Sequence, residues 1–266
     1  MEHRDFTVAI YRRLLDALID RGYTFQTFRQ YLEAPARRVI MLRHDVDARK
    51  GHSLQFARIQ HEKGIVGTYY FRMVPQSFDE AVIRQIESLG HEIGYHYEDM
   101  DFSKGDPHQA IRLFEQHLEQ LRAVADISTI CMHGSPRSQY DNKDVWKHYD
   151  YRDYGIVGEP YFDLDFQEVF YLTDTGRRWD GHRVSVRDKV EDYYGLSFHA
   201  THELIDAARE NALPDRIMIN FHPQRWTDDR LLWVSEKYIQ QAKNAVKYLL
   251  IRYRHNGGRE AVAERH

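Results

Sequence analysis

The stretch Val39–His52, VIMLRHDVDARKGH, decides how the chain is read. Four apolar residues, Val39 to Leu42, run without a break into Arg43, His44, Asp45 and Asp47. An uninterrupted apolar run between turn signals reads as a strand buried on both faces. A strand that only filled a core would end in turn residues, yet this one ends in two carboxylates beside an arginine and a histidine. Asp45 and Asp47 are two positions apart, so extended backbone points both to one face.

Working outward from this strand, helical and strand-like segments alternate. Residues 6–20 have helical apolar spacing and stop at Gly22. After the opening strand come a helix over Ser53–Lys63, a strand over Gly67–Met73 and a helix over Asp79–Leu89. A strand over Glu92–Tyr97, a helix over Pro107–Ala123 with proline at its start, and a strand over Ile127–Met132 follow. Beyond Gly134 the pattern loosens into an aromatic, charged stretch. It returns as a helix at Thr201–Asn211, a strand at Arg216–Phe221 and a long helix at Trp233–His255. Such alternation predicts a parallel sheet with crossover helices, as a barrel or an open α/β sheet in one domain spanning 1–266. Helices 6–20 and 233–255 are additions at its two ends.

Composition removes several function classes. The formal net charge of −4 leaves no basic excess to neutralise a nucleic-acid backbone. No apolar run approaches the roughly 20 residues of a membrane-spanning helix. The start, MEHRDFTVAIYRR, lacks the apolar core and cleavage site of a signal peptide. The single cysteine, Cys131, cannot form an internal disulfide. These features place the expected home in the cytoplasm and leave the oligomeric state open.

In both parallel architectures functional groups collect at the C-terminal ends of strands. Four proposed strands run into RHDVD, HYEDMD, MHGSP and HPQRW. Parallel neighbours would therefore bring Asp45, Asp47, His96, His133 and His222 to one rim. Carboxylate and neutral imidazole suit Zn²⁺, and also Fe²⁺, Mn²⁺ or Co²⁺. Two histidines and one carboxylate leave positions for water and substrate, a second carboxylate can take a proton, and a facing histidine can return one. Blander roles compete: Asp45 and Asp47 as helix caps or partners of Arg43 and Arg49, His96 as a satisfied core histidine, His133 and His222 as turn residues. His44 alternates away from the carboxylates and is expected to pack against helices, and His91 lies at the opposite end of its strand.

The motifs resemble those of the polysaccharide deacetylase superfamily, the carbohydrate esterases of family four. RHDVD, residues 43–47, is similar to the first motif in its Asp-x-Asp form. GHEIGYH, residues 90–96, is similar to the second, and INFHP, residues 219–223, to the closing motif. GTYYF, residues 67–71, sits where such proteins have Thr-Phe-Phe, so the resemblance runs in order from Val39 to Gln224. It implies an incomplete (β/α) barrel of about seven parallel strands and metal-dependent removal of N- or O-acetyl groups from sugars. In that scheme Asp47 and His96 hold one divalent transition metal, Zn²⁺ foremost with Co²⁺, Mn²⁺, Fe²⁺ or Ni²⁺ as alternatives. Asp45 is then the base and His222 the acid, and the substrate is a carbohydrate or sugar precursor.

Two departures matter. The family's second metal histidine would fall at Met100, a thioether poorly suited to a hard catalytic metal. His133 is the favoured replacement, with Glu98 and then Asp99 behind it. The family's Arg-x-Pro third motif is replaced by CMHGSPRS, residues 131–138. Arg43 is a further candidate substrate contact. In DTGRRWDG, residues 174–181, Trp179 could stack on a pyranose, with Arg177, Arg178 and Asp180 binding hydroxyls or a carboxylate. Two other functions fit part of the pattern: a non-haem iron enzyme built on two histidines and a carboxylate, and a carbohydrate-binding barrel that has lost catalysis.

Overall fold

A computed structural model describes residues 4–135, 138–179, 190–191 and 193–245. Strand β2, Val39–Val46, is buried at all eight positions, as its unbroken apolar start requires. On one edge it pairs with β7, Arg216–Phe221; on the other it pairs first with β1, Thr24–Gln26, and then with β3, Thr68–Phe71. Strands β4, Glu92–Tyr97, and β5, Ile127–Met132, extend the sheet beyond β3, and β6, Phe170–Thr173, extends it beyond β7. Every pairing is parallel, and the path ends at β5 and β6. The result is a seven-stranded α/β incomplete barrel with helices around it.

The helices start where local chemistry allows. Helix α1, Val8–Asp20, is capped by Thr7, whose hydroxyl accepts the Ile10 N–H, and it buries Leu14, Leu15 and Leu18. Helix α2, Phe28–Glu33, has a reciprocal capping box between Thr27 and Gln30. Helix α3, Lys50–Glu62, begins three residues earlier than its apolar spacing predicts, after Arg49 in left-handed backbone, and no side chain caps it. Asp45 and Asp47 are therefore free of the capping role. Asp79 caps α4, Glu80–Ser88. A short α5, Asp99–Phe102, precedes α6, Pro107–Arg122, which Asp106 caps. The short α7, Pro160–Asp163, and α8, Thr201–Arg209, complete this set. The C-terminal helix begins at 230 and is described to 245; the remainder of the expected 233–255 span lies outside the described residues. Among the described residues no helix is long and apolar enough to cross a membrane.

One motif glycine has a packing reason. Gly94 of GHEIGYH lies opposite Tyr70 on β3, and a Cβ there would sit 2.4 Å from the Tyr70 ring. The glycine lets that ring lie flat over β4 beneath the rim.

Candidate functional site

Because the strands are parallel, their C-terminal ends form one rim, and the first residue past each of β2 to β7 carries chemistry. These residues are Asp47, Arg72, Glu98, His133, Asp174 and His222. Asp45 and His96 lie one turn of the pleat below, within β2 and β4.

Arg43 and Asp45 share a face of β2, and the pair is two-armed: Nε to Oδ1 and Nη2 to Oδ2, each 2.8 Å. Asn220 on β7 adds an N–H to Asp45 Oδ2 at 2.9 Å. Burial alone would raise the Asp45 carboxyl, but the Arg43 guanidinium, with His96 and His222 nearby, holds it far below the usual carboxylate range. Arg43, read from sequence as a substrate contact, is instead 2% exposed, with the rest of its guanidinium meeting the hydroxyls of Tyr161 and Tyr171.

Asp47 turns out of the strand, its N–H donating to the Asp45 carbonyl at 3.0 Å. Around its carboxylate stand three imidazole Nε2 atoms. His96 and His133 are each 3.7 Å from Oδ1, and His222 is 3.9 Å from Oδ2. Gln224 donates to Oδ2, whereas Oδ1 is buried and has no hydrogen-bond partner. Burial tends to raise this carboxyl, but His133, His222 and His96 bring it to about 2.

His96 and His222 are held from behind by hydrogen bonds at Nδ1, whereas His133 Nδ1 makes an ion-pair contact and has no hydrogen-bond partner. His96 Nδ1 is 2.8 Å from the Cys131 carbonyl, which can only accept, so the proton is on Nδ1 and the Nε2 lone pair faces the carboxylates. Burial, reinforced by the neighbouring His133, lowers His96 to about 4 against the pull of Asp45 and Asp47, so it is neutral at neutral pH. His133 Nδ1 lies 3.0 Å from Glu98 Oε2. His222 Nδ1 lies 2.6 Å from Asp174 Oδ1, and Asp174 also accepts from the His222 N–H, Arg225 and Trp226.

The donor set fits a transition metal. Separations of 3.7 to 3.9 Å are too long for hydrogen bonds. They are shorter than twice a metal–ligand bond of about 2.0–2.2 Å. An unpartnered, buried, ionised oxygen facing two neutral-capable imidazoles is what such an ion would satisfy. Two neighbouring donor groups, Asp45–His96–Cys131 and Glu98–Asp101–His133, overlap this set. Their carboxylates are already engaged, Asp45 by Arg43, Glu98 by Arg72 and Asp101 by Ser138 and Asn142. Asp47 is the carboxylate left open.

Other expectations land differently. Met100 packs in the core at 6% exposure, and Asp99 turns away to Tyr95 and His117. Trp179, expected to stack on a sugar, is 3% exposed, packs against Phe6, Phe221 and Trp226, and donates its N–H to Thr201. The indole finds more apolar surface inside this aromatic cluster than a rim offers. Arg177 stacks over Phe6 and Trp233 and donates to the Trp233 carbonyl, so it serves the seam with the C-terminal helix. Asp180 lies outside the described residues. His44 is buried with Thr68 and Gln60 on its two nitrogens, and His91 with Ala57 and Gly67.

Sequence reading missed Asn220, Arg72, Cys131 and the role of Asp174. Asn220 and Cys131 each sit two residues before a rim histidine, a signal that strand alternation offers. Asp174 follows β6, a strand hidden in the aromatic stretch.

No protein-family model matches the chain, and no curated protein matches it. Among solved structures it is similar to a family 4 carbohydrate esterase from Bacillus anthracis, at 11% identity and a TM-score of 0.39 over 92% of this chain and 91% of that one. It is similar to a Streptococcus mutans CE4 esterase at 13% identity and a TM-score of 0.41, covering 88% and 89%. The Xyl-CE4 domain of a multidomain xylanase from the hindgut metagenome of Trinervitermes trinervoides follows at 12% and 0.38, covering 80% and 84%.

Proposed function

We propose that the chain is a metal-dependent hydrolase of the polysaccharide deacetylase superfamily that removes an acetyl group from an amino sugar or a related carbohydrate precursor. The observation that carries this reading is the ring of three imidazole Nε2 atoms around Asp47, whose Oδ1 is buried and unpartnered. The motif resemblance between Val39 and Gln224 supplies the reaction class.

Asp47, His96 and His133 would hold one divalent transition metal, Zn²⁺ foremost. Such an ion supplies Lewis-acid chemistry, polarising an acetyl carbonyl and bringing a water molecule's pKa toward neutrality. Asp45 and His222 stand on either side of the same space, 3.9 Å apart between Oδ2 and Nε2. Asp45 takes the proton from the attacking water at Oδ2. His222 delivers a proton from Nε2 to the leaving nitrogen or oxygen, while Asp174 keeps its Nδ1 proton in place and orients the ring. The half-buried Tyr161 and Tyr171, beside Arg43, take the place of Trp179 as the aromatic surface for a sugar.

The two-armed Arg43 pair favours a second assignment within this reaction. Both Asp45 oxygens are engaged and the carboxyl is held strongly ionised, which weakens it as a base. Asp45 then orients His96 and His222 electrostatically, and His222 carries both proton transfers. Acetate release from N- and O-acetylated sugars by the Zn²⁺- or Co²⁺-loaded protein tests the function. The Asp45→Asn variant separates the assignments. A base predicts turnover down by about 10²–10⁴-fold, the scale of losing general catalysis. An electrostatic anchor predicts a smaller loss together with a shifted pH profile. No acetate release from any acetylated sugar by a metal-loaded protein would contradict the proposal.

A further inference from the structure

Three neighbouring strands each contribute their first post-strand residue to one line of contacts. Arg72 follows β3, Glu98 follows β4 and His133 follows β5. Arg72 grips Glu98 with two arms, Nε to Oε1 at 2.8 Å and Nη2 to Oε2 at 2.6 Å. Glu98 Oε2 is in turn 3.0 Å from His133 Nδ1, and His133 Nε2 faces Asp47 Oδ1. Arg72 is itself fixed, its backbone N–H donating to Ser77 Oγ at 2.9 Å and its Nη1 lying 3.5 Å from the Asp47 carbonyl. Glu98 is 4% exposed. Both Glu98 oxygens accept from the Arg72 guanidinium, so the group faces His133 as a carboxylate. An ionised carboxylate can only accept, so this contact favours the proton on the imidazole nitrogen facing it, although the ring is turned off the hydrogen-bond direction.

We infer that the Arg72–Glu98 pair is a positioning device that makes His133 a metal ligand, fixing its ring and its Nδ1–H tautomer so that the Nε2 lone pair faces Asp47. This rests on the reading of Asp47, His96 and His133 as the metal-holding set. It also explains how the residue that follows β5 replaces a ligand from the short helix α5, where Met100 stands. His96 needs no such device, because a strand carbonyl already holds its Nδ1. His133 follows β5, where its N–H donates to the Tyr97 carbonyl and its own carbonyl accepts from Asn142. Those bonds fix its backbone but leave the ring free to turn, and the Glu98 carboxylate 3.0 Å from Nδ1 biases that turn. A carboxylate behind a ligating imidazole also raises its basicity, and losing such a partner typically weakens metal binding about 10–100-fold.

The test pairs Zn²⁺ titration with ¹⁵N NMR of the histidine rings in metal-free protein. The wild type is expected to show His133 as the Nδ1–H tautomer. Glu98→Gln is expected to give a mixed tautomer and about 10–100-fold weaker Zn²⁺ binding, with folding intact. Unchanged Zn²⁺ affinity in Glu98→Gln, where the wild type binds and His133→Ala does not, would overturn the inference and leave the centre standing. An Nε2–H tautomer in the metal-free wild type would overturn it without any variant, which keeps the question decidable should Glu98→Gln fail to fold. A wild type that binds no Zn²⁺ overturns the reading of the centre itself, and the inference falls with it.

Discussion

Two sets of histidines line the same sheet and behave differently. His44 and His91 each have both ring nitrogens bonded inside the protein, and His44 also stacks on Tyr69 with centroids 4.0 Å apart. His96 and His222 have only Nδ1 hydrogen-bonded, His133 has Glu98 beside Nδ1, and in all three Nε2 faces carboxylates 3.7 to 3.9 Å away. Burial is shared by His44, His91, His96 and His222, so it does not mark function. The mark is an imidazole held from behind with its other nitrogen left toward a carboxylate. A finished core spends both nitrogens, whereas a rim built for a ligand spends one.

The largest expected effect divides the two sets. Asp47→Ala, His96→Ala and His133→Ala should each lose bound metal on elemental analysis, whereas His44→Gln and His91→Gln should keep it in whatever fraction folds. Metal loss in the second group at intact folding would erase the distinction. Next, His222→Ala should retain metal and lower acetate release by about 10²–10⁴-fold, the scale of a lost general acid. If it loses metal instead, His222 belongs with the ligands. Trp179→Ala should destabilise the fold by about 3–5 kcal/mol, as for other buried aromatics cut to alanine, with KM for the sugar unchanged in folded protein. A raised KM would return Trp179 to the substrate surface.

The smallest effect is acid sensitivity of the metal-free protein. Burial lowers His44 to about 3, and His91 and His96 to about 4. A free imidazole sits near 6.5, so the unfolded chain binds more protons between about 4 and 6.5. Their stabilisation is complete above that window and is lost as pH falls through it. Glu159 acts in the opposite sense: burial pushes it up to about 7, so its contribution is lost as pH rises from about 4.5 through 7. Tm should fall between pH 6.5 and 4, and Glu159→Gln should steepen the fall. A Tm that rises on acidification would contradict burial as the controlling term.

The parts legible in the sequence are those where one physical signal dominates. β5 and β7 appear at their expected bounds, Ile127–Met132 and Arg216–Phe221, because each is a short, mostly apolar run, as strands buried on both faces tend to be. Asp45, Asp47, His96, His133 and His222 could be grouped because parallel strands bring all their ends to one rim. β1 is three residues long and shows no periodicity. β6 and Asp174 hide in an aromatic, charged stretch where burial depends on distant partners. The same dependence misplaced Arg177 and Trp179: their loop is organised by Phe6 and Trp233, more than fifty residues away along the chain in either direction. Arg43 is the partner of Asp45, the internal pairing that its i,i+2 spacing offers beside the substrate reading.

The most direct test of the rim as a metal centre is elemental analysis of the purified wild type beside His133→Ala, both after equilibration with Zn²⁺. The account predicts about one metal per wild-type chain and far less in the variant, as expected for removal of one of three protein ligands. A wild type that takes up no metal, or a His133→Ala variant that retains the full complement, would contradict it.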